Sequence, residues 1–383
     1  GMKYKLGDIC EYAKGKVDVT ILNEDTYIST ENMITNKGGI TSASSVPTIT
    51  QTQAFIAGDV LVSNIRPYFK KIWFAEFDGG CSNDVLVFRA KNGVNKQFLY
   101  YVLADDAFFD YSMATSKGTK MPRGDKEAIM KYEVPVFSYE GQRKIAGILE
   151  VLDRKIQLNT KINKNLEQQA QAYFDELFVA NADPNWPECT LSDIGTVVAG
   201  GTPSKSKVEY YADRGIAWIT PKDLSADKSK FISRGENDIS ELGFSKSSAA
   251  KMPAGTVLFS SRAPIGYIAI AQNEVTTNQG FKSIIPKENI GTPYVYYLLK
   301  KLLPTIEGMA SGSTFKEISG TGMKSVPTVM PDASTLQLFN TFCEPVFQEQ
   351  EVLEAENKHL SALRDSLLPK LMSGEIDVSE IKF

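Results

Sequence analysis

Histidine, cysteine and long apolar runs are scarce in this chain, and each scarcity argues against a class of function. The single histidine, His359, argues against Ser-His-Asp, Cys-His and polyhistidine metal chemistry, because each needs an imidazole in a shaped pocket. The four cysteines are too scattered for a zinc knuckle or a disulfide framework, which suits a reducing compartment. No run approaches the length of about 18 apolar residues that would span a bilayer.

Composition and charge indicate a globular chain without a strongly basic character. Of the 383 residues, 42% are hydrophobic and 23% are charged, which is neither a disordered nor a membrane composition, and the length suffices for two domains. The net charge of −4 argues against coating nucleic acid through bulk charge but allows local basic patches. The first residues include Asp8 and Glu11 and no apolar run, so we expect no secretory signal and a cytoplasmic location.

Motifs for nucleotide chemistry are also missing. Gly195 and Gly200 have the spacing of a phosphate-binding loop, but Gly201-Thr202 follow where a lysine and a hydroxyl residue are needed. No G-x-G-x-x-G follows a strand pattern, so a dinucleotide fold is not supported. We therefore expect a chain that is not an enzyme and has no catalytic residue. An enzyme with an unfamiliar carboxylate site remains an alternative.

The chain repeats itself. Five pairs of similar segments occur in the same order, with offsets between 185 and 197 residues. They are 5–9 with 190–194, 57–67 with 254–264, 98–103 with 294–299, 116–119 with 311–314, and 134–135 with 326–327. Coincidence is a poor explanation for this order, so we interpret the chain as two copies of one unit of about 190 residues.

Each copy ends in a heptad pattern that predicts a long helix. The seven-residue seams are Ile145, Leu152, Asn159, Leu166 and Tyr173 in the first copy, and Phe339, Val346, Leu353, Leu360 and Leu367 in the second. We expect Ile148 and Ile162, and likewise Phe342 and Leu363, on the companion seams. A heptad pattern sustained over this length is typical of a coiled coil. Short β-rich runs between Gly, Asp, Asn and Pro residues precede each helix, which predicts mixed α+β globules.

This pattern divides the chain into five segments. We predict a first globule at 1–140, a first long helix at 141–180, a second globule at 181–333, a second long helix at 334–373 and a tail at 374–383.

In both globules, basic and hydroxyl side chains gather in loops. Lysine and arginine neutralise phosphates, hydroxyl and backbone N–H groups bond phosphate oxygens, and arginine or asparagine can read base edges. The candidate DNA contacts are Arg66, Lys70, Lys71, Lys117, Thr119, Lys120 and Arg123 in the first copy, and Thr202, Ser204, Lys205, Lys222, Arg262, Thr314 and Lys316 in the second. We place Arg66 and Arg262 at the same point of the repeat. For these two the alternative is an intradomain ion pair, and for any one loop it is a solvated turn.

Further segments are distinctive when they occur together. They are QRKIAGIL at 142–149 with LDRKI at 152–156, GGTPS at 200–204, AWITPKDL at 217–224 and SSRAPIG at 260–266. With these segments and its half-chain repeat, the whole chain resembles the specificity subunit (HsdS) of type I restriction-modification systems.

The resemblance implies a fold and a division of labour. It implies two target-recognition domains, separated by two long antiparallel coiled-coil helices with an internal pseudo-two-fold, each domain reading one half of a bipartite, asymmetric DNA site. Two methyltransferase (modification) subunits would dock on the helices and carry S-adenosylmethionine. Restriction subunits would use ATP and Mg²⁺, so this chain itself is expected to bind no cofactor and no metal. Taken alone, the residues leave open a non-catalytic adaptor that bridges proteins without reading DNA.

Overall fold

The computed structural model describes residues 3–312 and 316–381, and the chain forms two compact units. Residues 1–157 and 358–383 form the first unit, and residues 158–357 form the second. Each unit therefore contains one of the repeated globules together with part of each long helix. The boundary between the units crosses both helices instead of following the ends of the globules.

The first unit contains an α+β globule with two sheets. Its strands are β1 (Lys3–Lys5), β2 (Cys10–Tyr12), β3 (Lys16–Asp18), β4 (Tyr27–Ile28), β5 (Gln51–Phe55), β6 (Val60–Ser63), β7 (Ile72–Phe74), β8 (Gly79–Cys81), β9 (Val85–Ala90) and β10 (Glu133–Pro135). Its helices are α1 (Leu6–Ile9), α2 (Lys96–Ala104), α3 (Asp106–Ala114), α4 (Lys126–Ile129) and the first part of α5 (Tyr139–Asp175). One sheet has the order β2-β9-β6-β7, and the other has the order β3-β5-β8-β4 with β4 parallel to β8. Strands β1 and β10 pair separately.

The second unit repeats this arrangement. Its strands are β11 (Glu188–Thr190), β12 (Gly195–Ala199), β13 (Tyr211–Ala212), β14 (Ile216–Ile219), β15 (Phe231–Ile232), β16 (Asp238–Ile239), β17 (Val257–Ser261), β18 (Ile265–Ala271), β19 (Thr276–Thr277), β20 (Lys282–Pro286) and β21 (Pro327–Val329). Its helices are α6 (Leu191–Ile194), α7 (Pro221–Ala226), α8 (Glu241–Ser245), α9 (Thr292–Met309), α10 (Gly320–Lys324) and the first part of α11 (Ala333–Ser373). The sheet orders are β12-β20-β17-β18-β15 and β13-β16-β14-β19, with β14 parallel to β19.

The central strand of each globule is apolar on both faces because both faces are covered. In β6, Val60 and Val62 belong to the core beneath α2 and the long helices, whereas Leu61 points into a second core beside β5 and β8. In β17, Val257 likewise lies in one core and Leu258 in another. Alternate residues of a strand point to opposite faces, so one continuous apolar run can serve two cores.

The backbone repeats as the sequence does. The Asn64 N–H donates to the Asp84 carbonyl at 2.8 Å, and the Ser261 N–H donates to the Gly280 carbonyl at 2.7 Å. These two hydrogen bonds join the end of the central strand to the same neighbouring loop in each globule. The expected fold class, two similar mixed α+β domains with two long helices, is confirmed.

Within each unit the segments of the two long helices run antiparallel. In the first unit, the Arg364 guanidinium donates to the Asp153 carboxylate at 2.8 Å. In the second, the fully buried Asn159 amide donates to Glu356 at 2.7 Å, and the rings of Tyr173 and Phe342 have centroids 4.7 Å apart. Partner numbers fall from 356 to 342 as the α5 numbers rise from 159 to 173, which defines the antiparallel direction.

The predicted companion seam is right only in part, since Ile148 packs against the core of the first unit and the Phe342 ring contacts Tyr173, but Ile162 and Leu363 do not lie inside. Ile162 is 38% exposed and Leu363 is 37% exposed, whereas fully or nearly fully buried positions lie four residues after the first seam, at Leu149, Ala170 and Gln350. The companion seam was assigned by choosing apolar residues, but Asn159 and Gln350, which are polar, are among the buried positions of the helix pair. Asn159 and Gln350 remain inside by hydrogen bonding across the pair, as a buried asparagine does when it fixes the register of two helices.

Candidate nucleic-acid interface

The loop after β6 presents basic side chains from an unusual backbone. Arg66 and Lys70 both have a φ of 50°, a conformation that costs about 1–3 kcal/mol and persists only where its surroundings hold it. The Arg66 N–H donates to the Pro122 carbonyl at 2.8 Å. Lys70 Nζ lies 3.0 Å from one oxygen of Asp106, and Lys37 Nζ lies 2.9 Å from the other. The loop is therefore held in place with its cations clustered.

Lys71, which the sequence groups with these residues, is engaged by the chain itself. Its ammonium group donates to the Thr30 carbonyl at 2.6 Å, and burial lowers its pKa. A lysine held in this way stabilises the loop, so its role as a DNA contact has less support than that of Lys70.

The second loop of the first globule is exposed and adjoins the first. Its exposed candidates are Lys117, Thr119, Lys120 and Arg123. A backbone bridge joins Ile65 to Arg123, which brings this loop beside Arg66. Lys117 is paired with Asp125 at 2.5 Å and Arg123 with Asp84 at 3.2 Å. Exposed ion pairs are weak, so a phosphate can replace either carboxylate.

In the second globule, candidate residues line an open pocket of about 530 Å³. Thr202, Lys205 and Lys222 contribute to its wall, and Lys222 is paired with Glu236 at 2.7 Å. Ser204 is exposed in the same loop, with its hydroxyl 2.9 Å from that of Ser206. The structure thus brings together candidates that are separated by about twenty residues in the sequence.

The remaining candidates of the second globule lie outside the residues that line this pocket. Arg262 is paired with Glu317 at 3.5 Å, and Lys282 lies 3.5 Å from the other oxygen of that carboxylate. Arg262 therefore has the intradomain partner that the sequence analysis left open, and its DNA contact stays a prediction. Lys316 is exposed, and Thr314 lies outside the described residues.

The expected equivalence of Arg66 and Arg262 is wrong by one residue. Backbone bridges pair Ile65 with Arg123 and Arg262 with Glu317, so Arg262 corresponds to Ile65. Arg66 corresponds to Ala263, which also has a φ of 50° and also precedes a proline. The two copies therefore carry their arginines on neighbouring positions of the equivalent loop.

The glycine pair of the second globule packs closely against neighbouring backbone. A Cβ atom on Gly200 would lie 1.9 Å from the Asn278 carbonyl oxygen, and one on Gly201 would lie 2.4 Å from the Ala249 nitrogen. The Trp218 indole N–H donates to the Gly201 carbonyl at 3.0 Å. Glycine is required at both positions because a side chain there would clash with the neighbouring backbone. The glycine run therefore has a packing role and not a phosphate-binding one.

Sequence reasoning missed three amide side chains of the same pocket, Asn237, Asn278 and Gln279. The Thr202 hydroxyl donates to Gln279 Oε1, so Gln279 is tied to the glycine-containing loop. The available signal was the segment Asn278-Gln279-Gly280, a polar turn between two β-rich runs.

A buried polar network joins the second globule to the helix segments of its own unit. Lys230 Nζ is 2.6 Å from Glu167 on α5, 2.8 Å from the Gln350 side-chain oxygen on α11 and 3.1 Å from the Tyr297 hydroxyl on α9. Lys300 also pairs with Glu167, at 2.8 Å. Burial alone would raise the pKa of Glu167, but the two lysines lower it from 4.5 to about 2.

The first unit has a related cluster with a different carboxylate. The Tyr101 hydroxyl donates to Asp153 at 2.7 Å, and Arg364 binds the other oxygen of that carboxylate. Burial, followed by the nearby Asp153 charge, raises the pKa of Tyr101. In both units a tyrosine of the globule, a carboxylate and a cation therefore fix the globule on its helix segments.

Two other classes of site are absent from the described residues. Across 3–312 and 316–381, no group of three or more His, Cys, Asp or Glu side chains is placed to hold a metal ion. No helix in that part of the chain is long and apolar enough to cross a membrane. The cysteines are free, and burial raises the pKa of Cys81 to about 12, which keeps it a thiol at neutral pH.

Comparison with known families and curated proteins gives consistent results. A family model described as the type I restriction modification DNA specificity domain matches residues 2–168 and again residues 184–351. The type I restriction enzyme MjaIX specificity subunit of Methanocaldococcus jannaschii is 40% identical over 190 residues, which cover 47% of this chain and 44% of that protein. The HindI specificity subunit of Haemophilus influenzae is 25% identical over 457 residues, covering 98% of this chain and 99% of that protein.

A solved structure has the same fold. The crystal structure of the type I restriction-modification S subunit from M. genitalium is similar with a TM-score of 0.65 and 17% identity. The similarity covers 97% of this chain and 96% of that chain. At this identity the likeness concerns the fold alone.

Proposed function

This chain belongs to the family of type I restriction-modification DNA specificity proteins, and we propose that each of its globules reads one half of a bipartite, asymmetric DNA site. The observation that carries the proposal is the repeat in the backbone. In the first globule, Arg66 and Lys70 follow the central strand β6 and adjoin the loop of Lys117 and Arg123. In the second, Arg262 follows the central strand β17, and other cations and hydroxyls line a pocket formed by the segments after β12 and β14. Duplicated loops of this composition suit a duplex, whose phosphates recur along the whole length of a site.

We further propose that the catalytic work belongs to partner subunits. Two methyltransferase subunits would dock on the long helices with S-adenosylmethionine, and restriction subunits would supply ATP- and Mg²⁺-dependent steps in the cytoplasm. Val151 and Leu158 on α5 support the docking surface, since they are 61% and 53% exposed. Large exposed apolar side chains on a long helix are suited to burial against another protein. The chain itself would then select the DNA sequence and position its partner subunits on it, without carrying out a chemical step.

Duplex binding tests the DNA-reading role. We expect a complex of this chain with two methyltransferase subunits to select a split motif from a pool of random duplexes. Its affinity for that motif should fall about a thousandfold or more between 50 and 200 mM salt, as expected for six or more neutralised phosphates. Fluorescence anisotropy on labelled duplexes measures both effects. Equal affinity for all duplexes, or binding that is insensitive to salt, would support the protein-bridging adaptor instead.

A further inference from the structure

We propose that Gln279 of the second globule reads an adenine in its half-site, and that Asn83 occupies the corresponding position in the first globule. This inference rests on the DNA-reading function proposed above and names a side chain that determines its specificity. It starts from an equivalence between the two loops that is visible in their hydrogen bonds.

The two loops are held in the same way. The Ser82 N–H donates to the Ile28 carbonyl at 2.9 Å, and the Asn278 N–H donates to the Ile219 carbonyl at 3.0 Å. The first bond joins its loop to the end of β4, which is parallel to β8, and the second joins its loop to the end of β14, which is parallel to β19. The next residue is Asn83 in one copy and Gln279 in the other, and both are exposed. The repeated fold therefore presents an exposed amide at one equivalent position in each globule.

Gln279 is oriented by groups that cannot easily move. Its Oε1 accepts a hydrogen bond from the Thr202 hydroxyl. Thr202 follows Gly201, whose carbonyl accepts from the indole of Trp218, and Trp218 is only 5% exposed. On the other side, the Gly280 N–H donates to the Asn278 side-chain oxygen at 2.9 Å, which closes the turn. The Thr202 hydroxyl orients the Gln279 side chain, and the closed turn fixes the backbone that carries it, so little further ordering is needed on binding.

The chemistry of this oriented amide matches adenine. A side-chain amide oxygen accepts two hydrogen bonds, and Thr202 uses one of them, so one acceptor and the Nε2 donors remain. In the major groove adenine offers an N6 donor next to an N7 acceptor, the pattern that glutamine or asparagine pairs with. Lys205 and Lys222 on the same pocket wall are suited to flanking phosphates, which fix the register of the base contact.

Base selection by the assembled complex tests this assignment. The complex with its methyltransferase subunits selects from duplexes randomised throughout the site, with wild type compared to Gln279→Ala. The variant should lose about five- to 150-fold of its preference for adenine at one position of one half-site. Gln279→Glu should shift that position toward cytosine, because a carboxylate accepts from cytosine N4. Asn83→Ala should affect only the other half-site.

Controls separate this role from others. Asn237→Ala removes another amide from the same pocket wall and should leave the adenine preference intact. Thr202→Val removes the orienting hydroxyl and should weaken the same position without changing the salt dependence. Full adenine preference in Gln279→Ala, or a uniform loss of affinity with a smaller salt slope, would overturn the assignment. A wild-type complex that selects no motif would instead refute the DNA-reading function itself.

Discussion

Replacing Glu167 with alanine is expected to lower the free energy of unfolding of the second unit by about 3–5 kcal/mol, the usual cost of leaving a buried charge unpaired. The Lys230 side chain is only 5% exposed and lies 2.6 Å from the Glu167 carboxylate. Without that carboxylate, the remaining hydrogen-bond partners of its ammonium group in the described part of the chain are the neutral oxygens of Gln350 and Tyr297. Hydrogen exchange of the α9 amides, followed against urea concentration in the full chain, measures the loss.

The same carboxylate gives the stability a predictable pH dependence. The folded-state pKa of Glu167 is about 2, below its ordinary value of 4.5, because the two lysines outweigh the opposing effect of burial. A group with a lowered folded pKa stabilises the fold above its unfolded pKa and loses that contribution as the pH falls through the folded value. The stability difference between wild type and Glu167→Gln should therefore shrink between pH 4.5 and about 2.

A matched substitution controls for the loss of an ion pair as such. Lys222→Ala breaks the pair with Glu236, whose side chains are 77% and 62% exposed, and should leave stability nearly unchanged. If Glu167→Ala were as mild as Lys222→Ala, the network would not be what fixes the second globule on its helix segments.

Replacing Gly200 with alanine is expected to destabilise the second globule by about 3 kcal/mol, the upper part of the usual range for overpacking, and to abolish selection at the second half-site. The added Cβ would lie 1.9 Å from the Asn278 carbonyl oxygen and 2.4 Å from Thr277 Oγ1. A backbone carbonyl cannot turn aside as a flexible side chain can. Relief of the clash must therefore displace either the loop that carries Gln279 or the glycine loop that carries Thr202, while the first globule retains its own loops.

Another glycine provides the control for that experiment. Gly308 lies in α9, and an added Cβ there would meet no atom within 4 Å. Gly308→Ala should stabilise the chain by about 0.5–1 kcal/mol, the ordinary gain from alanine within a helix. Calorimetry of both variants, together with base selection by their complexes, distinguishes the outcomes. Gly200→Ala with wild-type stability and intact selection at both half-sites would contradict the packing role of this glycine.

The architecture could be predicted because local heptad patterns specify the long helices and a repeated sequence specifies the two globules. The heptads at Ile145 and Phe339 predict long helices, and both residues are fully buried within helices of 37 and 41 residues. The repeat predicts two similar globules because two copies of one pattern must fold alike. Burial along the helix pair could not be predicted as well, since Asn159 and Gln350 are polar and become interior residues only through partners on the other helix.

The candidate site could be predicted only in part. Loop composition identified Thr202, Lys205 and Lys222, which do line one pocket. Gln279 was missed because an isolated glutamine in a turn is an ordinary surface residue. Its importance depends on the hydroxyl of Thr202, more than seventy positions away in the chain. The one-residue offset between Arg66 and Arg262 was also missed, because the backbone bridges that align the two loops are formed with residues distant in the sequence.

A map of methylated adenines most directly tests the claim that this chain chooses the DNA site for its partners. Genomes would be sequenced from cells that make the methyltransferase subunits with this chain, without it, and with the Gly200→Ala variant. The account predicts methylation at one split motif with a fixed gap, and no methylation at that motif without the chain. In the variant, base selection should be lost in the half of the motif that the second globule reads. Methylation at the same sequences whether or not the chain is present would contradict it.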